Sequence, residues 1–161
     1  MTIAHEGDLL AMPTQIRMPY TLTPGTATGV FLAELANRRL LGSRHGGTVI
    51  VPPTEFSPDG QPSEGFVEVA PVGVVRAFTK TADGTIGIIQ IDGTASPLLH
   101  RIVGFDAGTL AVGSRVSAVW ADEASGSSIL DLAGFGPEDD TVAFEPRLPE
   151  GELADALEQI D

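Results

Sequence analysis

His5, His45 and His100 are the only imidazoles in the chain, and it has no cysteine. A zinc site needs three or four N, S or carboxylate ligands, with some of them closely spaced. None of the three histidines has a second histidine or a carboxylate at that spacing, so no metal ligand is assigned. His100 stands mid-strand beside Arg101, which predicts that one of the two faces inward and the other outward. Without cysteine there is also no disulfide framework and no thiol nucleophile. No Gly-x-Ser-x-Gly elbow is present. Gly42-Ser-Arg-His-Gly-Gly-Thr has a phosphate loop's glycines but lacks its Lys-Ser/Thr ending, and it follows a helix where such a loop precedes one. It reads as a helix-to-strand turn. Asp92 before Gly93 reads as an Asx turn, and no two carboxylates form an acid/base pair on one rigid face. No catalytic residue emerges.

Charge contrast is the remaining chemistry. The chain has 161 residues, with 22 acidic and 9 basic side chains, a formal charge of −13 and a pI near 4.4. Lys80 is the single lysine; the other basic residues are arginines. Arg44, Arg76 and Arg101 lie in or beside the β-rich region. On a shared face they could grip a phosphorylated ligand, because guanidinium offers phosphate a bidentate fork. The alternative is that each pairs with one of the many carboxylates. The net charge disfavours nucleic acid and anionic membranes, whose binding rests on cationic contacts. Hydrophobic content of 42% with 19% charged residues belongs to a globular chain.

The elements that must position these residues follow from pattern. Residues 1–25 read as an extended arm, interrupted by Pro13, Pro19 and Pro24, with Met18-Pro-Tyr-Thr-Leu as its anchored part. A helix is predicted over 26–41, where Phe31, Leu32, Leu35 and Leu40 fall at helical spacings and Gly42 stops the run. Thr48 to Pro53 reads as a strand, and Glu55 to Gly65 as an exposed loop dense in turn-formers. Phe66-Val-Glu-Val precedes five strands expected at about 72–80, 85–92, 97–104, 114–121 and 127–134. Their number and spacing suit a small closed barrel, an OB-fold or another five-stranded one, with the longest gap after the third strand. Residues 137–161 form an acidic tail in which Leu153, Leu157 and Ile160 recur at helical spacing. So short a helix needs a surface, either its own barrel or a partner. The start has no secretory signal and no apolar run long enough to span a bilayer, so a cytoplasmic location is expected.

The order of motifs carries a resemblance. Phe31-Leu32, Leu35, Arg39-Leu40, Gly42 and Arg44 are followed by Val51-Pro-Pro, Val67-Glu-Val, Gly73-Val and Phe78-Thr. Ile91-Asp-Gly, Val112-Gly, Val116 and Trp120 complete the order, over about residues 28 to 135. The chain thereby resembles the two-part proteins that join a rubredoxin-like zinc ribbon to an OB-fold. These are accessory subunits of thiolase-like acyl-CoA enzymes and of steroid side-chain, lipid-transfer-protein-type aldolases. The family's two cysteine pairs are replaced here by His45-Gly-Gly and by the stretch around Ser57-Pro-Asp59. The resemblance therefore implies a ribbon without zinc, held by packing of residues such as Val49, Val51 and Phe56. Its implied architecture is mainly β: helix and degenerate ribbon over 26–70, an OB-fold barrel over 71–136, then a short acidic C-terminal helix.

The function so implied is a non-catalytic accessory subunit, part of a hetero-oligomer, that helps a thiolase-like or aldolase partner bind or channel an acyl-CoA, steroid or fatty. Arg44, Arg76 and Arg101 are then candidates for the CoA phosphates, and Leu153, Leu157 and Ile160 for the partner contact. No covalently bound cofactor, no zinc, no membrane and no nucleic-acid partner are expected. Two other classes compete. A nucleic-acid-binding OB-fold would combine a basic groove with aromatic platforms, for which Arg76 and Phe78 are the best pair. A stand-alone acyl-CoA enzyme would turn over a thioester unaided.

Overall fold

The computed structural model describes residues 14–20, 23–138 and 144–146. The fold is mainly β, with one helix, α1 (Thr26–Ala36), ahead of two sheets. Strands β1 (Leu40–His45), β2 (Thr48–Ile50) and β3 (Phe66–Val69) make a small antiparallel sheet in the order β2-β1-β3. Strands β4 (Val72–Thr81), β5 (Gly84–Ile91), β6 (Pro97–Ile102), β7 (Arg115–Trp120) and β8 (Leu132–Pro137) close a barrel in the order β4-β5-β6-β8-β7. All barrel pairs are antiparallel except β6 with β8. This is the closed OB-fold-like barrel that the strand count predicts.

Helix α1 stops earlier than its apolar spacing suggests. Arg38 adopts φ 57°, the one non-glycine residue with positive φ among those described. The Arg38 N–H donates to the Leu35 carbonyl at 2.9 Å, and the Arg39 N–H to the Glu34 carbonyl at 3.0 Å. Those two bonds define a Schellman cap. The expected helix over 26–41 is thus corrected: Leu40 and Leu41 are buried in strand β1, where both faces of the sheet are covered. At the other end, Gly25 supplies no side-chain cap. The Glu55 carboxylate fills the role, accepting the Ala27 N–H at 3.0 Å. A carboxylate at a helix N-terminus suits the macrodipole.

Other boundaries also shift. Gly46 and Gly47, with φ of 55° and 83°, form a two-residue hairpin turn between β1 and β2, not a helix-to-strand turn. The strand expected over 48–53 ends at Ile50. The fifth barrel strand begins at Leu132, not near 127, because a 3-10 turn over Ile129–Asp131 intervenes. That turn is anchored by the buried Asp131 carboxylate, which accepts the Ser125 and Gly126 N–H groups at 2.9 and 2.7 Å. In the arm, Met18 and Tyr20 are exposed, so the anchoring expected of Met18-Pro-Tyr is not seen.

One apolar cluster serves both sheets. Phe31 and Leu35 of α1, Leu40 and Leu41 of β1, and Val51 join Val75, Ile89, Ile91, Val116, Leu132 and Phe135 of the barrel. Each such side chain contributes roughly 1.5–3 kcal/mol by burial. Hydrogen bonds reinforce the junction. Val51 N–H donates to Ser96 Oγ and Ser96 Oγ donates to the Val51 carbonyl, both at 2.9 Å, while Ala95 N–H donates to the Val49 carbonyl at 2.8 Å. The packing leaves no room at Gly73, where an added Cβ would lie 2.4 Å from the Gln90 carbonyl oxygen.

Arg115 ties the barrel's end. Its guanidinium grips Asp92 through two bonds of 2.9 and 2.8 Å and Glu138 through two of 2.8 and 2.7 Å. Asp92 is therefore an ion-pair partner as well as a turn residue. The Arg115 bonds hold the Glu138 carboxyl below the usual carboxylate range.

Of the pair His100 and Arg101, the histidine faces inward. Its ring meets Phe135 edge-on at 6.0 Å, and its Nδ1 accepts the Arg101 N–H at 2.9 Å. The proton of the neutral ring is thereby on Nε2. Burial holds its pKa below the usual imidazole value. The unfolded chain therefore takes up a proton before the native state does, as pH falls through about 6.5. Stability conferred by the neutral ring is full above that pH and is lost below it. Melting temperature should accordingly drop between pH 7.5 and 5.5, and His100→Leu should flatten that drop. An equal drop in both proteins would show that His100 is not responsible.

Candidate functional site

Three places bring together residues that sequence reasoning singled out. The first is the tip of the small sheet, where the resembled family carries its zinc. His45 is buried, and its Nδ1 lies 3.2 Å from the Gln61 carbonyl. A carbonyl only accepts, so Nδ1 carries the proton and Nε2 accepts from Ser43 Oγ at 2.9 Å. Ser43 Oγ in turn accepts the Thr54 N–H at 2.9 Å. These bonds tie β1 to both ends of the 54–61 loop. Zinc does not fit this set: both imidazole nitrogens are engaged, and Asp59 accepts from Ser57 within its own loop. Among the described residues no group of three or more His, Asp or Glu side chains is placed to hold a metal. Phe56, expected to pack here, is instead 63% exposed, while Val51 is fully buried and Val49 packs partly buried against the core. The loop owes its position to hydrogen bonds more than to an aromatic plug.

The second place is a cleft of about 760 Å³ between the small sheet and the barrel. Its walls are mainly apolar, including Leu40, Val69, Val72, Trp120 and Phe144, with Arg38, Glu68 and Glu145 as its charged members. Its size suits a small molecule or a peptide side chain. Arg38 is the residue that the Schellman cap forces into left-handed backbone, a position glycine fills without strain. Its neighbour Arg39 forms an ion pair with Glu34 of α1.

The third place is the outer surface of β4, β5 and β6. Arg76 occupies a bulge in β4, between residues paired to Ile89 and Ile88, and Arg101 pairs across β6 with Ile86. Both arginines are exposed. Arg44 stands in the other sheet, opposite Val49. The barrel thus brings Arg76 and Arg101 onto one surface, with β5 between them, and Arg44 belongs to a different sheet. Leu153, Leu157 and Ile160, the expected partner contact, lie outside the described residues, as does His5.

Comparison with known proteins bears on the fold. No protein-family model and no curated protein matches the sequence. Among solved structures, a chain of the Ltp2-ChsH2(DUF35) aldolase aligns over 73% of this chain and 98% of its own, at 19% identity and a TM-score of 0.54. A protein of unknown function from the DUF35 family of Sulfolobus solfataricus aligns over 59% of this chain and 77% of its own, at 20% identity and a TM-score of 0.50. At this identity the likeness is one of fold.

Three measurements check these assignments. His45→Ala should destabilise the protein by about 1–2 kcal/mol in urea titration, since it removes two buried hydrogen bonds. EDTA should leave the melting temperature of the purified wild type unchanged; a drop of several degrees would show a bound metal. Arg38→Gly should raise stability by about 0.5–1 kcal/mol by relieving the left-handed backbone. A loss of stability would instead mean that contacts of the Arg38 side chain outweigh its strain.

Proposed function

We propose that the chain is a non-catalytic accessory subunit that docks on a thiolase-like or lipid-transfer-protein-type aldolase enzyme and helps the complex hold an acyl-CoA. The observation that carries this reading is the shared fold with a chain of the Ltp2-ChsH2(DUF35) aldolase, across nearly the whole of that chain. The apolar side chains that the described surface leaves in water, Ile86, Ile88 and Leu99 among them, support a partner. In this reading the partner performs the carbon–carbon chemistry and the barrel shapes the approach of the thioester.

The nucleic-acid reading finds less support. Single-stranded ligands stack on aromatic platforms. The exposed residues at the centre of β5 and β6 are aliphatic, and Phe78 is paired to Gly87 on the inward-facing row with His100.

Co-expression with candidate thiolase-like and aldolase subunits tests the proposal. Mass photometry should show a hetero-oligomer with one of them, and its acyl-CoA turnover should fall at least ~10-fold when this chain is left out. Free chain at every partner concentration, with turnover unaffected, would refute the accessory role.

A further inference from the structure

The three adjacent barrel strands β4, β5 and β6 contain Arg76, Lys80, His100 and Arg101 and not one aspartate or glutamate, in a chain that has 22 carboxylates. The register shows how their outward side chains are laid out. Ala77, Ile88 and Leu99 form one row across the three strands, and Thr79, Ile86 and Arg101 form the next. Arg76 stands in the bulge beside Ala77. Three large aliphatic side chains are therefore contiguous, with Ile86 and Ile88 37% and 38% exposed and Leu99 66% exposed. An arginine flanks them on either side. The alternate row, Phe78, Gly87 and the buried His100, faces the barrel interior, so the pattern is not a slipped core.

We propose that this face is the docking surface for the enzyme partner, and that the partner meets it with an apolar centre rimmed by carboxylates. This inference rests on the accessory-subunit reading above. Contiguous exposed aliphatics mark a surface that gains by burial, whereas scattered ones do not. Arginine is enriched in protein interfaces, and its fork suits carboxylates. The remainder of the chain is strongly acidic, so an anionic surface meets less repulsion at this carboxylate-free face. Aliphatic side chains give no stacking platform, which favours a protein over a single-stranded nucleic acid.

The test is surface plasmon resonance of the full chain against the partner subunit identified by co-expression. Leu99→Asp should weaken binding at least ~10-fold through faster dissociation, and Ile88→Ser should act in the same direction. The double variant Arg76→Glu, Arg101→Glu should slow association ~10-fold and reduce its dependence on salt. Glu123→Lys, in the β7–β8 connection, should bind as wild type. Each altered side chain is exposed or partly so, and unchanged melting temperatures will confirm folding. Wild-type binding by all the face variants overturns the docking surface and leaves the accessory role standing. Failure of the wild type to bind any such subunit overturns both. Should the isolated chain bind CoA or an oligonucleotide, and the double variant lose only that, the face belongs to that ligand and the inference falls.

Discussion

Leu35, Leu41 and Val51 are fully buried in the same cluster as Ile89 and Phe135. That shared core is the constraint on which the structure depends. The small sheet has three short strands, one of them only three residues long, and such a sheet has little apolar area of its own to bury. It borrows stability from the barrel: α1 covers the junction, and Ser96 of the β5–β6 turn bonds both sides of Val51. The two parts therefore present one rigid platform, and the cleft between them is a fixed feature of that platform.

Hydrogen bonds hold the tip of the small sheet. In zinc ribbons the ion fixes loops too short to hold themselves. Here the buried His45 links β1 to the loop through Ser43, Thr54 and Gln61, and Glu55 from the same loop caps α1. Net hydrogen-bond energies of about 1 kcal/mol each are modest beside metal binding. They act beside Val51, which is already buried in the common core.

Much of the barrel was legible from sequence because its strands alternate and its turns contain glycine at defined places. Leu98, His100 and Ile102 point inward while Leu99 and Arg101 point outward, as period two requires. The helix end was not legible. Leu40 and Leu41 fit a helical face as well as a strand, and the cap falls on Arg38 where glycine would have signalled it. The Arg115 clamp was invisible for a different reason: Asp92 and Glu138 are 46 residues apart, and only barrel closure brings both to Arg115. Of the candidate arginines, type and charge were readable, but their placement required the register. The bulge at Arg76 has no sequence signature beyond an arginine within an apolar strand.

On this account the small sheet shares its core with the barrel, and β4, β5 and β6 offer the carboxylate-free, aliphatic face proposed to meet an enzyme. A cryo-EM map of the complex co-expressed with the proposed thiolase-like or aldolase partner tests that account most directly. It should show Ile88 and Leu99 buried against the partner, with Arg76 and Arg101 each facing a partner carboxylate. A complex in which β4, β5 and β6 remain in solvent, or particles of the partner alone, would contradict it.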